Sequence, residues 1–317
     1  MILSLLLALL GLIILVKWAD LLISGSASIA KKFGISSLVI GLTIVAFWTS
    51  LPELTVSLMA AVSGKNDIAL GNIVGSNIAN ILLILGTTSV LSTIPVKSST
   101  VWKEVPFSLL AILIVLFLGA DIYFGQGTKN IISSGDGFVL IGFFILFLYY
   151  IAGISNDEEN TDSGIKKYST WVSLGMIILG LTGLMIGGKM FVDGAVKIAQ
   201  IIWMSERVIG LTIVAIGTSM PEMITSIVAA RKGQNDIAVG NIVWSNIFNI
   251  FWILGLSSLF APITIEISNF TDIWVCISAT ILLFLAFFIG RKNKLERWQG
   301  LIFVMVYSGY VVYLIQN

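Results

Sequence analysis

Histidine is absent from this 317-residue chain, cysteine occurs once, and charged side chains make up only 11% of it. Without histidine, a zinc site or a Ser-His-Asp triad has no material. Cys276 has no partner for an internal disulfide and sits in an apolar run, where it reads as packing. Soluble domains carry about 25% charged residues, so a charged fraction this low excludes one. A net charge of +1 offers no basic surface for nucleic acid.

What is present is hydrophobic sequence, 57% of the chain, with a mean hydropathy of +1.01. That excludes a disordered chain. A spanning helix needs about 20 mainly apolar residues. Ten segments are predicted on that measure: 2–26, 36–62, 68–92, 105–120, 136–153, 170–197, 205–230, 237–261, 271–290 and 297–315. The N-terminus has no basic n-region and no small-residue cleavage site, so it reads as a retained membrane helix. The one strongly polar linker falls between segments five and six, within 155–169. Connections after odd-numbered segments hold twelve Lys and Arg; the others hold four: Lys65, Lys129, Lys197 and Arg207. The positive-inside rule then puts both termini outside and the acidic linker in the cytoplasm of a multi-pass cell-membrane protein.

The chain also repeats itself. Residues 41–86 and 210–255 align without a gap at a constant offset of 169 (222 − 53). The duplication divides the chain into halves 1–154 and 170–317, each with five segments. Consecutive repeats with an odd number of spans enter the membrane in opposite senses. The expected fold is an all-α polytopic membrane protein, ten helices in two inverted repeats of five.

Each copy carries Thr-Ser-x-Pro-Glu: Thr49, Ser50, Pro52, Glu53 and Thr218, Ser219, Pro221, Glu222. Proline removes a backbone donor, and the carbonyl it frees finds no partner in lipid. Hydroxyls, loose carbonyls and a carboxylate are the hard oxygen ligands that Ca²⁺ takes and Na⁺ accepts. A carboxylate near the bilayer centre costs roughly 2.5–3.5 kcal/mol on insertion scales. The bland reading is a proline kink with a protonated or snorkelling glutamate; keeping that cost twice, in one motif, argues for function.

The second shared motif is Gly-Asn-x-x-x-Ser-Asn-x-x-Asn: Gly71, Asn72, Ser76, Asn77, Asn80 and Gly240, Asn241, Ser245, Asn246, Asn249. Positions 72, 76 and 80 share a fully polar helical stripe and are expected to face the carboxylates. Asn80 and Asn249 are the favoured ligands of that stripe; the alternative for any of these asparagines is helix-to-helix hydrogen bonding. Outside the motifs, Lys17 with Asp20 and Lys189 with Asp193 are expected as local ion pairs. Asp67 and Asp236 are expected near helix starts.

These residues resemble the alpha-repeats of the sodium/calcium exchanger family, in the Ca²⁺:cation antiporter superfamily. The resemblance implies a core of segments 2, 3, 7 and 8 around the ions, with segments 1 and 6 sliding across it. It implies Glu53 and Glu222 as central calcium ligands, with backbone oxygens from Thr49 and Thr218. It implies that Ala46, Ser50 and Ser76, with Ala215, Ser219 and Ser245, line flanking sodium sites, and that Asn80 and Asn249 complete the centre. Archaeal members can carry aspartate at the place of Asn249; here the centre holds two formal negative charges. The function expected is Ca²⁺/Na⁺ antiport by alternating access, with Ca²⁺/H⁺ or K⁺-dependent exchange as the alternative. A cation channel is a further alternative, against which the inverted repeats with broken helices argue. No enzyme activity and no cofactor are expected. The partners are the bilayer and the ions Ca²⁺ and Na⁺ or H⁺, and the chain is expected to act as a monomer.

The copies disagree mainly at tryptophan: Trp48 pairs with Gly217, Trp244 with Gly75, Trp203 with Gly34, and Trp252 with Leu83. The family pattern has glycine at 48 and 244, where helices are expected to approach closely. Rings there mean that the approach is not kept unchanged; the two readings are drift with compensating small neighbours, or a bias in the access state or the ions accepted.

Overall fold

The computed structural model describes residues 2–33, 45–125, 128–154, 168–201 and 215–316. The first half begins with α1 (Ile2–Phe33), the turn α2 (Ala46–Thr49) and α3 (Leu51–Val62). Helix α4 (Asn66–Ile78) runs through a π-helical stretch (Ala79–Leu85) into α5 (Gly86–Leu91). Helices α6 (Val105–Leu118) and α7 (Ser134–Ile154) close the half. The second half repeats the order: α8 (Thr170–Ile201), α9 (Ala215–Thr218), α10 (Met220–Arg231) and α11 (Asn235–Phe248). A π-helical stretch (Asn249–Leu254), α12 (Gly255–Phe260), α13 (Ile267–Ala286) and α14 (Arg297–Gln316) follow.

Eight helices among the described residues are long and apolar enough to cross a membrane. Segments 2 and 7 are not among them. Each appears as a four-residue turn, a break at Ser50 or Ser219, and a twelve-residue helix. The break residues adopt nearly the same backbone, φ −86°, ψ 8° and φ −85°, ψ 6°. Pro52 and Pro221 sit in the first turn beyond the break, where a missing N–H is tolerated. Residues 36–44 and 205–214, the upstream parts of these segments, lie outside the described residues, as do Gly34, Trp203 and the linker at 155–167.

The rods Asn66–Leu91 and Asn235–Phe260 are the most buried spans, at 78% and 94%. They therefore form the centre, with α6, α7, α13 and α14 packed around them in one hydrophobic core. Two short antiparallel strand contacts tie the halves together: Ile94 opposite Leu295, and Ile131 opposite Thr264.

Helices α1 and α8 form a separate pair. They run antiparallel, because Gly25 faces Ser173 and Met176 while Gly194 faces Ser4 and Ala8. The seam is built from small residues at matching places. A Cβ on Gly11 would fall 2.6 Å from the Phe191 nitrogen; a Cβ on Gly180, 169 positions later, would fall 2.9 Å from the Leu22 nitrogen. Small residues permit this backbone approach in a membrane, where lipid supplies no hydrophobic drive. The pair shares a second hydrophobic cluster with Met220, Ile224, Ala229 and Ala230 of α10.

Candidate functional site

The two broken helices place their glutamates against each other's serines. Ser219 Oγ donates to Glu53 Oε1 at 3.0 Å, and Ser50 Oγ lies 2.9 Å from Glu222 Oε1. Both carboxyl groups are 1% exposed. Ser50 Oγ is also 3.1 Å from Ser245 Oγ, and Thr49 Oγ1 donates to Asn241 Oδ1 at 3.2 Å. Every one of these contacts joins one half of the chain to the other.

The central rods complete the site. Asn80 Nδ2 donates to Asn246 Oδ1, and Asn249 Nδ2 donates to Asn77 Oδ1, both at 3.0 Å. Each ligand candidate stands at the α-to-π transition of its rod, a place where helices often carry function. Among the buried side-chain oxygens without a hydrogen-bond partner are Glu53 Oε2, Glu222 Oε2, Asn80 Oδ1 and Asn249 Oδ1. Ser76 Oγ is likewise buried and without one. A buried acceptor with no partner costs about 1–3 kcal/mol, more when charged. Carboxyl, carboxamide and hydroxyl oxygens are the donors suited to a hard cation. Among the described residues no three His, Cys, Asp or Glu side chains converge.

Five of the twelve expected site residues bond one another through side chains, Glu53 with Ser219 and Glu222 with Ser50, which also meets Ser245; Thr49, Asn80 and Asn249 bond Asn241, Asn246 and Asn77 instead. Ser76 and Thr218 are buried beside them in sequence, on α4 and α9. Ala46 is buried, and its carbonyl accepts from Ser50 N at 3.1 Å and lies 3.2 Å from Thr49 Oγ1. Ala215 is described by its backbone alone, in α9.

The stripe of Asn72, Ser76 and Asn80 divides its labour differently from expectation. Asn72 Nδ2 donates to the Glu53 main-chain carbonyl at 3.2 Å and to Ser57 Oγ at 2.9 Å. Asn241 does the same with the Glu222 carbonyl and Ser226. These asparagines hold the glutamate backbone rather than face its carboxylate. Ser57 and Ser226 were missed, although they recur at the same offset, four residues after each glutamate. Asn77 and Asn246 follow the alternative given for these asparagines, hydrogen bonding from helix to helix across the halves.

Two further expectations change. Asp20 does not pair with Lys17; its carboxylate meets Lys232 Nζ at 2.6 Å, and the same ammonium reaches the Asp20 carbonyl and Ser24 Oγ. Asp67 and Asp236 do stand in first turns, and Asp236 pairs with Lys97 at 3.1 Å. At the tryptophan mismatch 75/244, the helices do not approach closely. A Cβ on Gly75 would meet nothing within 4 Å, and Trp244 packs in a ring cluster with Phe144, Phe147 and Phe248. Close approach holds at Gly217, whose Cβ would come within 2.4 Å of Val192.

The model of the sodium/calcium exchanger protein family matches residues 3–153 and 172–316. The putative antiporter CaxA of Alkalimonas amylolytica is 38% identical over 95% of each chain. The sodium/calcium exchanger MaX1 of Methanosarcina acetivorans is 32% identical, covering 98% of this chain and 97% of its own. Among solved structures, the sodium-calcium exchanger NCX_Mj superposes with a TM-score of 0.83 at 35% identity, over 98% of both chains.

Proposed function

We propose that this chain, which belongs to the sodium/calcium exchanger family, exchanges Ca²⁺ for Na⁺ through the oxygen-lined centre between Glu53 and Glu222. The family is one of membrane antiporters that move Ca²⁺ and other cations. Within it, the two glutamates are the shared ligands. The carboxamide oxygens of Asn80 and Asn249 complete the central site, and Thr49, Thr218, Ser50, Ser219, Ser76, Ser245, Ala46 and Ala215 surround it. The observation that carries the reading is the set of four buried oxygens with no protein partner. A cation supplies the partner they lack.

Sharing the carboxylates couples the fluxes. Ca²⁺ and Na⁺ exclude one another from the same oxygens, and the empty, doubly negative centre is costly to carry through the membrane interior. The antiparallel α1/α8 pair, with its own hydrophobic cluster, is suited to move as a body over the centre and expose it to either side in turn. The matched glycine seam, the cross-half hydrogen bonds and the repeated helix order support ten spans in two inverted repeats. The proposed orientation keeps both termini outside and the 155–169 linker in the cytoplasm, with a monomer as the working unit.

Uptake of ⁴⁵Ca²⁺ into proteoliposomes under separate Na⁺, K⁺ and H⁺ gradients tests the reading. Flux driven by a Na⁺ gradient alone is expected. Flux that a pH gradient drives without Na⁺ would move the chain to the Ca²⁺/H⁺ alternative, with protons taking the place of Na⁺ on the same carboxylates. Flux without any counter-ion would make it a channel.

A further inference from the structure

Four asparagine side chains bond one another between the rods, and two of them, Asn80 and Asn249, keep a buried oxygen without a partner. The other two, Asn77 and Asn246, are each 2% exposed and turn all their hydrogen bonds toward the opposite half. Asn77 Nδ2 donates to the main-chain carbonyl of Asn246 at 3.1 Å, and Asn246 Nδ2 lies 3.4 Å from the main-chain carbonyl of Asn77. Their own amide oxygens accept from Asn249 and Asn80, at 3.0 Å each.

The direction of this ring is fixed by chemistry. A main-chain carbonyl accepts and never donates, so the amide end of Asn77 must turn toward Asn246 O, and that of Asn246 toward Asn77 O. Their oxygens must then point the other way, toward Asn249 and Asn80. Those two residues have no choice but to offer their NH₂ ends. A flipped Asn80 would set oxygen against oxygen at Asn246. The result is that Asn80 Oδ1 and Asn249 Oδ1 are both left as buried acceptors without a partner.

We propose that Asn77 and Asn246 are positioning residues that lock the carboxamides of Asn80 and Asn249 oxygen-first toward the transported cation. The assignment rests on the cation reading of the centre. Without the lock, an amide next to two carboxylates would turn its NH₂ toward them, satisfying the carboxylates and setting a donor where a cation must sit. The ring thus reserves the carboxylate oxygens for ions. It is closed across the two halves, so neither half orients its own ligand.

A double-mutant cycle on purified protein tests this, reading the Ca²⁺ concentration that gives half-maximal thermal stabilisation. Asn77→Leu and Asn249→Leu are each expected to raise it about tenfold, the lower end of what supporting-residue changes cost in metal sites. The double variant is expected to be no worse than the weaker-binding single, because Asn77 acts through Asn249. A merely structural Asn77 would lower the melting temperature and leave the half-saturating Ca²⁺ unchanged, which would overturn the proposal. So would losses that multiply in the double variant to about a hundredfold. Should Asn77→Leu fail to fold, Asn77→Ser, which also withdraws the acceptor from Asn249, carries the same two expectations. If the wild-type protein is stabilised by neither Ca²⁺ nor Na⁺, the cation reading falls and the positioning role falls with it; if it is stabilised and only the cycle fails, the cation reading stands alone.

Discussion

Helices α3 and α10 are copies of one another, yet they are covered differently. Their inner faces match: Glu53 and Glu222 are both 1% exposed and take the same hydrogen bonds. Their outer faces do not. Thr55 is exposed where its counterpart Ile224 is buried, and Met59 is 67% exposed where Val228 is half-buried. The α1/α8 pair leans on α10, sharing a hydrophobic cluster with it. Lys232, at the end of α10, is tied to Asp20 and Ser24 of α1. The counterpart of Lys232 is Ser63 and that of Asp20 is Lys189, so the α3 side has no residues for the same tie. The comparison separates two jobs. The hydrogen bonds at the glutamates are symmetric, whereas the α1/α8 cover lies on the α10 side; in the proposed exchange, one shared centre would need the first and a cover that opens one side at a time the second.

The symmetric part breaks most strongly at the carboxylates. Glu53→Gln and Glu222→Gln are each expected to abolish Ca²⁺ exchange in proteoliposomes, a larger loss than the ~10–100-fold typical of changes around a metal site. Retained Na⁺-driven Ca²⁺ flux in either variant would refute that ligand. Next come the serines that hold them. Ser50→Ala and Ser219→Ala each remove a hydrogen bond to a charged group, worth about 1.5–3 kcal/mol. Matched increases of roughly tenfold or more in half-saturating Ca²⁺ are expected; a large inequality would show that the halves do not contribute alike.

The cover gives smaller effects. Gly11→Val and Gly180→Val each drive a side chain into the backbone of the partner helix, at about 1–3 kcal/mol of destabilisation. Thermal unfolding should show comparable losses for the two, since the seam is symmetric. The smallest effect belongs to the tie at Lys232. Its side chains are 30% and 61% exposed, and exposed ion pairs contribute about 0.2–1 kcal/mol. Lys232→Ala is expected to raise aqueous thiol labelling of Ile224→Cys by about 2–5-fold, in a Cys276→Ala background. Unchanged labelling would mean the tie does not hold the cover closed.

The readable part of the site was the part that repeats. Glu53, Glu222 and their serines recur at one offset beside a proline, and chemistry as costly as a buried carboxylate stands out in apolar sequence. The division of labour among the asparagines was not readable. A stripe drawn with α-helical spacing puts 72, 76 and 80 together, but the rod turns π-helical at 79, and Asn72 is spent on the backbone of the neighbouring helix. Likewise Asp20 is three residues from Lys17, and local spacing suggests that pair; the packing of α1 against α10 supplies Lys232 instead. The Gly75/Trp244 mismatch was visible as a difference, but its meaning was not: the ring fills a space beside α7, away from any close helix approach.

The sequence alone determined that this is an apolar, duplicated chain with one acidic, proline-broken motif per copy. Hydropathy, repetition and residue chemistry are local properties, written along the chain. Only the tertiary structure decided which oxygens remain bare, which asparagines turn away, and which half the α1/α8 pair covers. Those outcomes depend on bonds between residues as far as 212 positions apart. The direction of a hydrogen bond across a helix interface is set by the acceptor it meets there, and by nothing in its own segment.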